Sequence, residues 1–344
     1  MPTTRTDTHP TPRPSRILFT ALALAALLIA PLAADVQETF QVADGGTLEV
    51  DSKIGSIQVE PQGSGEVRIE IEISGSNQDE VSFDLSQRGD TILVKGDYSG
   101  SSSWFGWGDR RPKVKIRAWV PERFDLDLDT SGGAIAVGDL EGSVKADTSG
   151  GSLRFGNIEG PVLGDTSGGS IVLEGARGDV SLDTSGGSIT VGDVDGSVNA
   201  DTSGGSITIG QVRDAIRADT SGGSIRIESS GGSVVAETSG GSISIGEAHG
   251  AIDAETSGGG IEATIRAQPS DDSRLITSGG PIRLRLADGI GVDIDAQSSG
   301  GRVSSELELA DRDQSRTRLT GKAGGGGPRV TLRSSGGGVS ISGD

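Results

Sequence analysis

The tetrapeptide Thr-Ser-Gly-Gly begins at residues 130, 148, 166, 184, 202, 220, 238 and 256, always 18 residues apart. Eight copies without an insertion constrain the fold more than any bulk property, because a strict period is what a stack of aligned coils requires. Another TSGG begins at 277, and copies with Ser in place of Thr begin at 229, 298 and 334. The period divides into two nines. SITVGDVDG at 188–196 aligns with SVNADTSGG at 197–205, and SSGGSVVAE at 229–237 writes the Ser-Gly-Gly turn into the other half. Each nine therefore reads as a short strand and a turn.

A period of two assigns the faces. Ile135, Leu153, Ile171, Ile189, Ile207, Ile225, Ile243 and Ile261 hold one column, with Val137, Phe155, Leu173, Val191 and Ile209 in the next inward one. Val144, Val162, Val180, Val198, Ile216, Val234 and Ile252 hold a column on the second strand. The positions between are free to vary (Arg154, Val172, Thr190, Arg226), which marks them as outward. A helix is excluded, since no 3.6 period exists and each Gly would cost about 1 kcal/mol relative to Ala. A three-sided coil needs an apolar residue every six positions, and six steps from Ile189 reach Asp195 and then Asp201. The reading that remains is an all-β, two-sheet parallel β-solenoid with 18-residue rungs made of two nonapeptide halves, right-handed by the crossover preference.

In that frame Gly-Gly supplies positive φ at a tight corner. The Thr before it continues the inward alternation, its hydroxyl bonding up the column or to turn amides. The N-terminal part opens with the same grammar, GGTLEVDSK and IGSIQVEPQ aligning Leu48 with Ile57. Longer alternating strands follow. The predicted division is a signal peptide at 1–34, an irregular β-rich N-terminal cap at 35–128, a regular solenoid at 129–264, and degenerate rungs with a C-terminal cap at 265–344. In the last part 304–321 reads as a polar hairpin and 322–344 as two closing strands.

Arg5, Arg13 and Arg16 precede the apolar run 17–30 and a small-residue PLAA, the pattern of a secretory signal cut after Ala33 or Ala34. The run is short for a membrane span, so no integral span is expected after its removal; an uncleaved anchor is the alternative. The sequence thus predicts export to the periplasm, cell surface or medium. Losing three arginines and one aspartate with the leader takes the net charge from −19 to −21. So acidic a chain repels phosphate backbones, which excludes nucleic acid as a partner. With no Cys, an exported chain must hold together without disulfides.

The order GGTLEV…GSIQVEP, KVKIRAWVPERFDLDLDTSGGAIAV, tandem TSGGSI and a closing GGGGPRVTLRSSGGGVSI resembles the bacterial β-strand-repeat "putative adhesin" family of unknown function, over about residues 36–344. The resemblance implies an exported β-solenoid and supplies no catalytic residues.

Two stretches invite chemistry. Asp129, Asp147, Asp165, Asp183, Asp201, Asp219, Glu237 and Glu255 fall in one outward column. Carboxylates stacked about 4.8 Å apart repel by about 1 kcal/mol per pair at water's dielectric. A Ca²⁺-binding repeat scaffold is one reading of that column. However, the calcium β-roll needs Gly-Gly-x-Gly-x-Asp, which this chain lacks, and a solvated row that discourages lateral aggregation is the reading adopted, with no metal and no cofactor. SSSWFGWGDRRPK at 101–113 gathers Trp104, Phe105, Trp107, Arg110 and Arg111, a candidate for stacking on sugars or entering a lipid interface, or else a cover for the N-terminal core. Outward Ser-x-Thr rows would suit ice binding but are interrupted by Arg154, Arg226 and Glu262.

Catalysis finds little support. The only histidines are His9, in the leader, and His249, in a turn, and Cys is absent. A β-helix polysaccharide-acting enzyme is the alternative, but it needs a cleft that the short turns of 129–264 do not build. The expectation is a non-catalytic, adhesin-like structural or interaction module, with envelope glycans or surface proteins as partners.

Overall fold

The structure is a computed structural model describing residues 36–63, 65–100 and 112–344. Among these residues the chain is all-β, with one 3-10 turn at Gln78–Glu80 and no α-helix. Among the described residues no helix is long and apolar enough to cross a membrane. The strands form two sheets of 16 strands each. Every coil of the repeat gives one strand to each, and successive coils pair in parallel at a step of 18: Ile189 with Ile207 in the isoleucine sheet, Val198 with Ile216 in the threonine sheet. The chain is thus a two-sheet parallel β-solenoid.

The aliphatic columns are shut between the sheets, each of Ile171, Ile189, Ile207, Val180 and Val198 at most 3% exposed. One inward column went unread in the sequence. After Phe155 the strand bends at Gly156-Asn157, and the next inward side chain comes three residues on instead of two. Ile158, Ala176, Val194 and Val212 line this second corner, all buried. Ser230 continues the column, and its hydroxyl donates to Asp214 O at 3.0 Å.

The Thr-Ser-Gly-Gly corner works differently from the expectation. None of its glycines lies in the left-handed region; positive φ is confined to others such as Gly45, Gly55 and Gly142. The requirement is steric instead. A methyl on the second glycine, as at Gly169, Gly187 or Gly205, would overlap the carbonyl oxygen of the matching glycine one rung earlier. Bare backbone must stack on bare backbone there. The Thr hydroxyl fastens the same point, Thr184 Oγ1 donating to Gly169 O at 2.8 Å and accepting from Gly187 N at 3.4 Å. The pattern recurs at Thr148, Thr166, Thr202, Thr220, Thr238 and Thr256.

The first glycine is less constrained, and unevenly so. A methyl at Gly150 meets nothing, at Gly186 it stands 3.3 Å from a carbonyl oxygen, and at Gly240 2.9 Å. Gly187→Ala should therefore cost about 1–3 kcal/mol or more, as overpacking against backbone does. Gly150→Ala should leave stability unchanged or raise it by about 0.4–1 kcal/mol through the unfolded chain. Thermal melts of the two variants check the contrast, and equal losses would refute it.

Both ends of the stack depart from chain order. The coil Gly46–Ser52/Ser56–Pro61 lies between the coils Thr91–Tyr98/Lys113–Val120 and Phe124–Thr130/Ile135–Val137. The closing strands Arg329–Ser334 and Val339–Gly343 are not last either. They lie between Ser273–Thr277/Ile282–Leu286 and Val292–Ser298/Val303–Ser305. Beyond the outermost coils the pairing turns antiparallel, through Glu66–Ser74, Val36–Gln41 and Val81–Arg88 at one end. At the other it does so through the hairpin Ala310–Gln314/Arg318–Ala323. That last edge is fully exposed, interrupted in register and charged, features that discourage further strand addition. Deleting 324–344 removes a coil from inside the stack. Hydrogen exchange should then show lost protection across 287–323 with 129–248 still protected; uniform protection would show that the inserted coil is dispensable.

Candidate functional site

Strict register turns every outward position into a straight line along the stack. On the threonine sheet the carboxylates predicted at 129, 147, 165, 183, 201, 219, 237 and 255 pair directly with one another. The line is one longer than the sequence reading, because the inserted N-terminal coil places Asp51 beside Asp129. Lys95 follows Asp51 at that end. At the other, Arg274 donates to Asp253 at 3.1 Å and to Glu255 at 2.6 Å. Between these cations the row has little compensation. Asp129, Asp165, Asp183 and Asp201 are all pushed above the usual carboxylate value, first by partial desolvation and then by the neighbouring carboxylates. Among the described residues no group of three or more such side chains is arranged to hold a metal ion.

A carboxyl whose value is raised on folding binds its proton more tightly in the folded state, so stability falls as pH rises through the raised value. The opposite holds for Asp179, held down by Ser197, and Asp295, held down by Arg333; their contribution is lost only below the ordinary value of 3.8. The melting temperature should thus climb as pH is lowered from neutral toward, but not past, 3.8. Asp183→Asn with Asp201→Asn should raise it at pH 7 and flatten that climb. A melting temperature that falls steadily on acidification would contradict the assignment.

The second linear feature is a groove of about 930 Å³ along the bent corner of the isoleucine sheet. One wall carries Asn157, Asp193, Gln211 and Ser229, the other Glu159, Arg177, Asp195, Arg213 and His249. Arg177 bridges Glu159 at 2.9 Å, and Arg213 pairs with Asp195. His249 Nδ1–H donates to Ser230 O at 3.1 Å. The floor follows the buried column Ile158, Ala176, Val194 and Val212. A shorter groove of about 410 Å³ shares Asn157 and Glu159 and extends to Glu122, Asp139 and Glu141.

The candidate residues Trp104, Phe105, Trp107, Arg110 and Arg111 lie outside the described residues. The groove was missed because its walls vary from rung to rung; the signal available was the column at 159, 177, 195 and 213, which alternates in charge. Trp119 was missed as well. It faces outward on the isoleucine sheet, with Arg68 3.9 Å above its ring and its Nε1 donating to Glu60 at 3.1 Å.

The family model Toastrack DUF4097 matches residues 46–342. The chain belongs to this family. The Toastrack match takes in both inserted coils and the full run of regular rungs. The chain is similar to a solved structure described as a "putative cell adhesion protein" from Clostridium sporogenes, at 11% identity, over 90% of this chain and 99% of that one, TM-score 0.20. It is also similar to two proteins of Parabacteroides distasonis. One is a "putative adhesin" (12% identity, 91% and 99% covered, TM-score 0.30) and the other a "putative lipid binding protein" (17%, 72% and 96%, 0.32). No curated protein matches the chain.

Proposed function

We propose that this Toastrack chain is an exported, non-catalytic, adhesin-like interaction module of the bacterial envelope or cell surface. The observation that carries the reading is the unbroken step of 18 in strand pairing, from Phe124–Thr130 through Ile252–Thr256. It stacks the outward positions of successive rungs into lines of groups about 4.8 Å apart. Such an array gains little for a single small ligand. For a partner that repeats, each added contact becomes intramolecular and avidity accumulates without new chemistry. Acidic charge on the flanking sheet keeps such a module soluble and free of polyanions. The apolar run at 17–30 behind three arginines supports delivery outside the cytoplasm.

The test is fractionation of cells expressing the full chain, followed by co-sedimentation of the purified protein with envelope glycan and with envelope protein fractions. The expected result is recovery outside the cytoplasm and saturable binding to one fraction. Retention in the cytoplasm, or no saturable binding to either, would reject the proposal.

A further inference from the structure

The geometry points to the corner groove as a binding site for an unbranched, neutral, β-linked glycan lying along the stack axis. This inference rests on the interaction-module reading and names its site and ligand. The floor of the groove is chemically quiet. Its peptide groups are spent on neighbouring rungs, with Arg177 N donating to Ile158 O at 2.9 Å, Asp195 N to Ala176 O at 2.8 Å and Arg213 N to Val194 O at 3.0 Å. No donor or acceptor among these faces outward to be satisfied. The walls are the reverse, with carboxylate, amide or guanidinium groups on four successive rungs, followed by Ser229 and His249. A pyranose with equatorial substituents has that same division, an apolar C–H face between two hydroxyl-bearing edges.

Spacing separates the glycan from other polymers. The lining runs through six rungs, from Asn157 to His249, a length of about 24 Å at about 4.8 Å per rung. An extended peptide repeats its side chains every ~6.6–6.8 Å and falls out of phase with the rungs at once. A β-1,4-linked pyranose chain advances by slightly more than one rung spacing per sugar and slips by only a fraction of a spacing over six rungs. Charge narrows the class further. Glu159, Glu174, Asp193 and Asp195 oppose only Arg177 and Arg213, and the adjoining groove adds Glu122, Asp139 and Glu141. A chain of uronic acids would be repelled.

Calorimetry of the purified full chain with β-1,4-linked N-acetylglucosamine and glucose oligomers of two to eight units provides the test. Affinity should rise with length up to about six units, one per rung, and then level off. A polygalacturonate oligomer should bind at least about tenfold more weakly. Asp195→Ala with Arg213→Ala removes an exposed ion pair worth about 0–1 kcal/mol, so the fold should survive. Affinity should nonetheless fall about tenfold or more. Gln211→Trp, which fills the groove from an exposed position, should do the same. Asp183→Asn with Asp201→Asn on the other sheet should leave the affinity for the oligomers unchanged. If the chain binds an envelope fraction while the groove variants bind it equally well, the groove assignment is overturned and the interaction-module reading stands. If it binds a peptide in preference to every oligomer, the glycan assignment is overturned. If it binds neither oligomers nor any envelope fraction, both fall.

Discussion

The corner where a threonine hydroxyl meets two stacked glycines sets everything else. From Thr148 onward each corner Thr Oγ1 reaches the carbonyl of the second glycine one rung earlier at 2.6–2.8 Å and takes the amide of its own second glycine at 3.2–3.4 Å. Both partners are buried or nearly so, where an unmet backbone group would cost about 1–3 kcal/mol. The bond therefore fixes the axial position of each rung as well as stabilising it. Side chains cannot intrude, because any Cβ on the second glycine collides with backbone. The corner admits one register, and a one-residue slip would send every isoleucine into water.

The same clamp reveals the spatial order of the inserted coils. Ser334 donates to Gly280 O at 2.9 Å and Ser298 to Gly337 O at 2.7 Å, so residue 334 follows 280 and 298 follows 337 along the axis. A closing coil that merely added to the end would leave a clamp open and its strands at an edge. Set one place inward, it has both faces paired, and the threonine-sheet edge is handed to an antiparallel hairpin that does not repeat the parallel template. The solenoid changes pairing mode at both sheets of its N-terminal end and at the threonine sheet of its C-terminal end, where the isoleucine sheet stops on the three-residue parallel strand Val303–Ser305. A periodic structure can stop in these ways without offering a full copy of itself.

Much of this was legible because periodicity and burial are the same statement in a stack. Ile189 or Val198 can be assigned inward from the columns alone. What escaped depends on contacts between rungs. The glycines carry no φ signature in the sequence, and their steric role appears only when rung i is laid on rung i+1. The column at Ile158 broke the alternation through a bend at Gly156-Asn157. Gly164 stands between Ala146 and Leu182 in register. A methyl there would stand 3.0 Å from Leu182 Cδ2 and 3.2 Å from both Leu153 Cδ1 and Phe155 Cε2, so the missing side chain makes room for these larger neighbours. The order of the terminal coils was out of reach, since every coil carries the same pairing code and sequence cannot say which neighbour it prefers.

The acidic line and the groove differ in what they cost the fold. Register forces like side chains together, so a carboxylate written once per rung becomes a row whose members raise one another's proton affinity. The row opposes stacking at neutral pH and survives because the corner clamps and buried columns outweigh it. Groove walls avoid that penalty by alternation: Glu159 with Arg177, then Asp195 with Arg213. Two surfaces built on one period have thus taken opposite solutions to the same electrostatic problem. The partly paired groove presents hydrogen-bonding groups with a modest negative excess, whereas the sparsely compensated row offers a stronger negative field. Under the proposed reading the first suits recognition of a neutral chain by contact and the second suits exclusion of anions at a distance, so the two are compatible in one interaction module.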